Sequence, residues 1–270
     1  MDTSPPPSGV PEPWARPDNP LLTVGRVAAR KVLPDTLRYE LYWRLLNTPV
    51  AAELYTLGRG RLRHRRIQPT TRVVIEGFPS SGNTYARQAF LLANPTVSID
   101  DVCSHTHVAR VVVKGVRAGV PCIVLAREPK EAVASTVQRF HDPLANCFDH
   151  YTRYYRRLLP LRDQFIVAPF PTAMANFRGV LKLCDERYGV DFLSDPTTDL
   201  STEAVFASIE ERARWRHGGK TNEAGISRPS SSRMKADEFL SDLSDKAQRA
   251  CAEATESYHE FIAGAPTPPD

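Results

Sequence analysis

The sequence predicts an α/β layered fold in which a central parallel sheet is flanked by helices on both sides. Three observations predict it. Short apolar runs recur at 73–76, 122–126 and 165–170. Helical segments of about 10–15 residues separate them. Each run closes on turn-forming or polar residues: Gly77, then Arg127-Glu128-Pro129, then Pro169 and Pro171. Strands that alternate with helices are joined by crossovers, and crossovers lay helices over the faces of a parallel sheet.

The elements follow in order. Residues 1–20 hold seven of the chain's 23 prolines and few apolar side chains. Such a segment cannot bury enough surface to offset its ordering, so a disordered tail is expected. Residues 266–270 form a second short Pro-rich tail. The span 21–265 reads as a single domain, with 21–71 as a basic helical extension. Breaks fall around Pro34 and Pro49, and Tyr39, Tyr42, Leu45 and Leu46 recur at helical spacing. GRGRLRHRR (58–66) is a dense basic loop. Helices are expected from Thr84, from Pro129 to about Phe140, and over 144–159, 172–188, 202–217 and 235–263. The polar stretch 218–233 joins the last two.

Composition excludes several classes. No apolar run approaches the ~18 residues of a membrane span, and residues 1–20 contain no apolar leader core. Five scattered cysteines form no CxxC pair, so a disulfide scaffold is not indicated. The expectation is a reduced, cytoplasmic protein. The formal charge of +4 hides an asymmetry, since residues 21–72 carry 11 Lys/Arg against 3 Asp/Glu. That segment could be a solvated surface, attract an anionic ligand, or dock peripherally on anionic lipid. No nucleic-acid recognition motif accompanies the charge.

The most informative segment is VVIEGFPSSGNTYARQAF (73–90). A strand runs into Gly77, then a turn of Pro79, Ser80, Ser81, Gly82, Asn83 and Thr84, then a helix. Backbone N–H groups at a helix N-terminus make an anion cradle, and the hydroxyls of Ser81 and Thr84 add donors. The spacing fits a nucleotide phosphate loop, except that Asn83 stands where a Walker A lysine belongs. A P-loop NTPase-like three-layer fold follows as the expectation. A second segment, CIVLAREPKEAVAST (122–136), ends a buried strand on Arg127 and opens a helix that carries Ser135. An arginine at the C-terminal edge of a parallel strand lies where such sheets bind ligands, and its fork suits a phosphate. Between these segments lies CSHTHVAR (103–110), with two histidines two residues apart.

Together, FPSSGNT (78–84) and REPKEAVAS (127–135) resemble the two signature motifs of sulfotransferases that use 3′-phosphoadenosine-5′-phosphosulfate (PAPS). The second motif matches at Arg127, Pro129, Glu131 and Ser135. The resemblance implies that Ser80, Ser81, Gly82, Asn83 and Thr84 hold the 5′-phosphosulfate, and that Arg127 and Ser135 hold the 3′-phosphate. Arg228 and Arg233 are further candidates for that phosphate. Thr106-His107-Val108 is similar to the run with the family's catalytic histidine, making His107 the expected general base and His105 the second choice. The implied reaction moves a sulfuryl group to a hydroxyl of a carbohydrate, lipid or small metabolite, with no metal. In one departure, Ser80 stands where the family usually has Lys or Arg; Arg87 or the 58–66 loop could supply that charge instead. The alternatives are a P-loop nucleotide kinase and a degenerate nucleotide-binding protein.

Overall fold

The computed structural model describes residues 33–48, 65–193, 195–216 and 234–269. The expected 1–20 tail, most of the basic loop, Arg228 and Arg233 lie outside the described residues. The described chain runs α1 (Asp35–Leu46), β1 (Val73–Gly77), α2 (Asn83–Ala93), β2 (Val102–Ser104), α3 (Ala109–Arg117) and β3 (Cys122–Ala126). It continues α4 (Pro129–Phe140), α5 (Leu144–Leu158), β4 (Ile166–Pro169), α6 (Phe170–Ala175), α7 (Phe177–Tyr188), α8 (Thr202–Arg216), α9 (Ala236–Phe239) and α10 (Asp245–Ile262).

The four strands form one all-parallel sheet in the order β2-β1-β3-β4. Side chains alternate across it, as strand geometry requires. Val74, Val124 and Val167 face one apolar cluster, built with α3, α4, α5 and α10. Val73, Ile75, Ile123, Leu125 and Ile166 face the other, built with α2, α7 and α8. Helices therefore cover both faces. The chain leaves β1 through α2 on one face and returns from β2 to β3 through α3 on the other. The winding reverses between β1 and β3, and it is at the C-terminal strand ends of such a reversal that open parallel sheets form their crevice.

Several elements differ from expectation. The 103–110 stretch contributes a three-residue strand, β2, and opens into α3. That helix has a run of β-branched valines (Val111–Val113), but its buried residues, Ala109, Val112 and Gly115, recur at helical spacing. Packing overrides propensity here. In α1 the buried residues are Tyr39 and Leu46, whereas Tyr42 and Leu45 are exposed. The inner face is set by Tyr39 and Trp43, whose rings meet the imidazole of His150 on α5, with Trp43 at 4.1 Å between centroids. The expected 172–188 helix is interrupted at Asn176, whose side chain caps α7 by accepting the Gly179 N–H at 2.7 Å. At the other end of the chain, Pro268 and Pro269 lie against Gly179, and Asn176 Nδ2 donates to the Pro269 carbonyl at 3.0 Å.

His150 is 3% exposed, enclosed by Tyr39, Trp43 and Phe78, with Nδ1 3.2 Å from the Tyr39 hydroxyl. Burial, with help from nearby Arg153, pushes its pKa down to about 3. The unfolded chain binds this proton more readily, so the stability contributed is present above the ordinary value near 6.5. It is lost as pH falls from there toward 3. His150→Phe keeps the aromatic packing and removes the titration. Thermal melts across pH 7.5 to 3 should show a shallower acid loss than the wild type. At pH 7.5 the variant should lose about 1 kcal/mol, because the Tyr39 hydroxyl loses one of its partners and keeps Cys147. An unchanged acid slope would contradict this.

Candidate functional site

The crevice between β1 and β3 is bordered by two turns. The first follows β1. Gly77 is required at its start, because a Cβ there would sit 2.6 Å from the Leu125 carbonyl oxygen on the neighbouring strand. Gly82 precedes α2 at φ 93°, and a Cβ there would press on the Phe170 ring at 3.0 Å. Between them, Ser81 N–H donates to the Phe78 carbonyl at 3.2 Å, and Asn83 Nδ2 donates to the same oxygen at 3.1 Å. This folds the segment back on itself and leaves the first amides of α2 at its open end, where no intrahelical acceptor exists. Ser81 is fully buried, with its hydroxyl beside that of Tyr155.

The turn after β3 supports the first from the side. Arg127 Nη1 donates to the Ser80 carbonyl at 3.0 Å, and Nη2 reaches Glu131 Oε2 at 2.9 Å. Its guanidinium lies 4.6 Å from the centroid of the Phe170 ring, within the range of a cation–π contact. Pro129 occupies the first turn of α4, and the Glu128 side chain caps it by accepting the Glu131 N–H at 2.9 Å. Arg127 thus stands just past the C-terminal end of β3, against the turn that follows β1. Ser135 is half-buried on α4. Its neighbour's hydroxyl reaches the loop: Thr136 Oγ1 lies 3.1 Å from Ser80 Oγ.

The two histidines enter from the third side. Both have left-handed backbone, at φ 61° for His105 and 55° for His107, and Ser80 shares that conformation at 62°. Three of the four positive-φ residues other than glycine among the described residues therefore converge on this crevice. Such strain persists only where surrounding contacts over-determine it. For His105 those contacts are Thr84 Oγ1, 3.0 Å from Nε2, and Ser104 Oγ, 3.0 Å from Nδ1. Arg87 Nη1 in turn lies 3.4 Å from Ser104 Oγ. His107 Nδ1 lies 2.9 Å from the Gly77 carbonyl, which can only accept, so Nδ1 carries the proton of the neutral ring. Its Nε2 then holds the lone pair. Burial depresses the His107 pKa to about 4, so the imidazole is neutral at physiological pH. The rings lie 6.0 Å apart between centroids. The stretch is not extended, so this approach comes from the two left-handed residues rather than from strand alternation.

Four residues of the site were not read from the sequence. Glu76, fully buried in β1, accepts the Thr106 N–H at 2.7 Å and the His107 N–H at 3.1 Å. A lone carboxylate inside VVIEG was the available signal, because such a group must find partners. Tyr151 donates to the Arg127 carbonyl at 2.6 Å. Tyr155 donates to the Leu125 carbonyl at 2.7 Å and accepts the Phe78 N–H at 3.4 Å, bridging the two sides of the crevice. Thr136 is the fourth. Among the described residues no cluster of three His, Cys, Asp or Glu could hold a metal ion, and no helix is long and apolar enough to cross a membrane. No family model, curated protein or solved structure matches this chain.

The Tyr155 bridge gives a direct check on how this crevice is held. Tyr155→Phe leaves the Leu125 carbonyl and the Phe78 N–H unpaired in a buried place, which should cost about 1–3 kcal/mol. Denaturant titration should show a lower midpoint at unchanged slope. A midpoint equal to the wild type would remove the bridge from this description.

Proposed function

We propose that this protein is a PAPS-dependent sulfotransferase on a P-loop-like three-layer α/β fold, transferring a sulfuryl group to a hydroxyl acceptor. The observation that carries the reading is the meeting, at one winding reversal, of a helix-start anion cradle, an arginine from the next strand end and a neutral histidine. A doubly phosphorylated nucleotide needs two separate anion contacts, and the crevice offers both. The amides and hydroxyls of the loop from Ser81 to Thr84 suit the 5′ group. Arg127, with Ser135 and the undescribed Arg228 as further candidates, suits the 3′-phosphate.

Sulfuryl transfer breaks the acceptor O–H bond and the donor's bond from sulfur to its bridging oxygen, and forms the new bond from the acceptor oxygen to sulfur. The acceptor proton needs a base, and negative charge gathers on the departing phosphate. His107 suits the first task, because its Nδ1 is committed to Gly77 and its Nε2 is left to take the proton. His105 suits positioning, since both its nitrogens face hydroxyls. The cation usually found after Pro79 is replaced by Ser80. Two other guanidinium groups stand close: Arg87, reaching Ser104 from α2, and Arg65, whose field acts on His107 and Glu76. Acceptors in this reading are carbohydrates, lipids or small metabolites, and it requires no metal.

Calorimetric titration tests the cofactor. The product nucleotide 3′,5′-ADP should bind, whereas ATP with Mg²⁺ should not; the reverse would support a kinase and overturn the proposal. Arg127→Ala should weaken 3′,5′-ADP by roughly ten- to a hundredfold and 5′-AMP little. Equal losses would refute the 3′-phosphate assignment. For the base, His107→Ala should lower transfer by roughly 10²–10⁴-fold with near-normal 3′,5′-ADP binding. If His105→Ala produces that pattern instead, the two histidines exchange roles.

A further inference from the structure

Glu76 is the one charged residue in a strand whose five residues are all buried. Its place is two residues before Phe78, under the crevice. Both carboxylate oxygens are used by the histidine turn, Oε1 by the Thr106 N–H and Oε2 by the His107 N–H. The Thr106 hydroxyl also donates to this carboxylate, and its oxygen accepts the Val108 N–H at 3.2 Å. With the His107 ring on the Gly77 carbonyl, the turn is fastened to two successive residues of β1. Histidine enters the left-handed region more readily than most side chains, but two such residues within three positions still need contacts that hold them there.

We propose that Glu76 is the positioning residue of the histidine turn, and that its ionised carboxylate, by holding the Thr106 and His107 amides, aims both imidazoles at the crevice. A protonated carboxyl cannot do the same work. One oxygen would carry a hydrogen facing a backbone N–H, so one of the two amide bonds would be lost. The groups around the carboxylate decide when that happens. Burial raises its pKa; the Thr106 and His107 donors and the Arg65 guanidinium, from the segment before β1, lower it. Cys103 on β2 and Tyr154 on α5 also face it, both with their own pKa values pushed well above the ordinary, mainly by burial. The balance leaves Glu76 at about 7. His107, by contrast, sits at about 4. The two groups therefore predict different acid limbs for the same activity.

The inference rests on the sulfuryl-transfer reading for what the histidines do, and its test has an arm that does not. In wild-type protein, turnover should fall as pH drops through about 7, well above the histidine's own titration. Glu76→Gln keeps the shape and loses the charge. Its kcat should be roughly ten- to a hundredfold lower at pH 8, flat down to about pH 5, and should converge on the wild type below pH 6. Parallel profiles for the two proteins would overturn the proposal. The second arm uses NMR without substrate. The Glu76 side-chain carboxyl carbon should titrate near neutrality, and the protection of the Thr106 and His107 amides, relative to their intrinsic exchange rates, should fall as pH drops through the same window. In Glu76→Gln those amides should be weakly protected at every pH. A carboxyl that titrates near 4.5, or protection that does not change with pH, would overturn the proposal even if no acceptor is ever turned over. Failure of the function alone would appear as absence of 3′,5′-ADP binding in both proteins with the amide response intact.

Discussion

The reversal of winding between β1 and β3 is the constraint on which the rest of this structure depends. Because α2 leaves on one face of the sheet and α3 returns on the other, no crossover helix spans the gap between these strand ends. Both strands nevertheless pair closely, to the point that Gly77 could not carry a Cβ beside the Leu125 carbonyl. The result is an edge at which the turn after β1, the turn after β3 and the turn after β2 must all emerge. Tyr151 and Tyr155 of α5 run beneath it and fix the backbone on both sides.

Three turns crowded into one edge carry three strained residues, each costing of the order of 1–3 kcal/mol. The chain offsets this with groups of opposite sign. A cation, Arg127, holds the carbonyl of Ser80. An anion, Glu76, holds the amides of the histidine turn. The first is half-buried and leans on the Phe170 ring; the second is wholly buried and so responds to pH. The left-handed residues bring His105 and His107 into one corner with Thr84 and Gly77. The rigidity of the sheet is thereby passed to side chains that no regular element could present together.

Much of this was legible in the sequence, for identifiable reasons. β1 and β3 are β-branched runs ending at Gly77 and Arg127, and the Ser/Gly turn opens a helix at Asn83, so local chemistry alone marks them. The place of Arg127 at a strand end was legible too, but its contact with the Ser80 carbonyl, 47 residues away, was not. β2 was not legible because three residues are too few to show a period, and α3 was not because Val111–Val113 look like strand. Thr136, Tyr151 and Tyr155 were hidden for another reason. Their contacts cross 24–77 residues of sequence, and a threonine or tyrosine on a helix gives no sign of which distant carbonyl it will meet. Ser135 drew the attention that its neighbour Thr136 shares. Glu76 was readable in principle, since a carboxylate in an apolar strand must be paired, but its partners lie in a turn whose backbone propensity does not announce itself.

The central claim is that one crevice holds two phosphate groups at two separate places. A crystal structure of the full chain soaked with 3′,5′-ADP tests it most directly. The account predicts the 5′-phosphate on the amides of Gly82, Asn83 and Thr84, with the 3′-phosphate within hydrogen-bond reach of Arg127. Density for the nucleotide elsewhere, or a 3′-phosphate that does not touch Arg127, would contradict it.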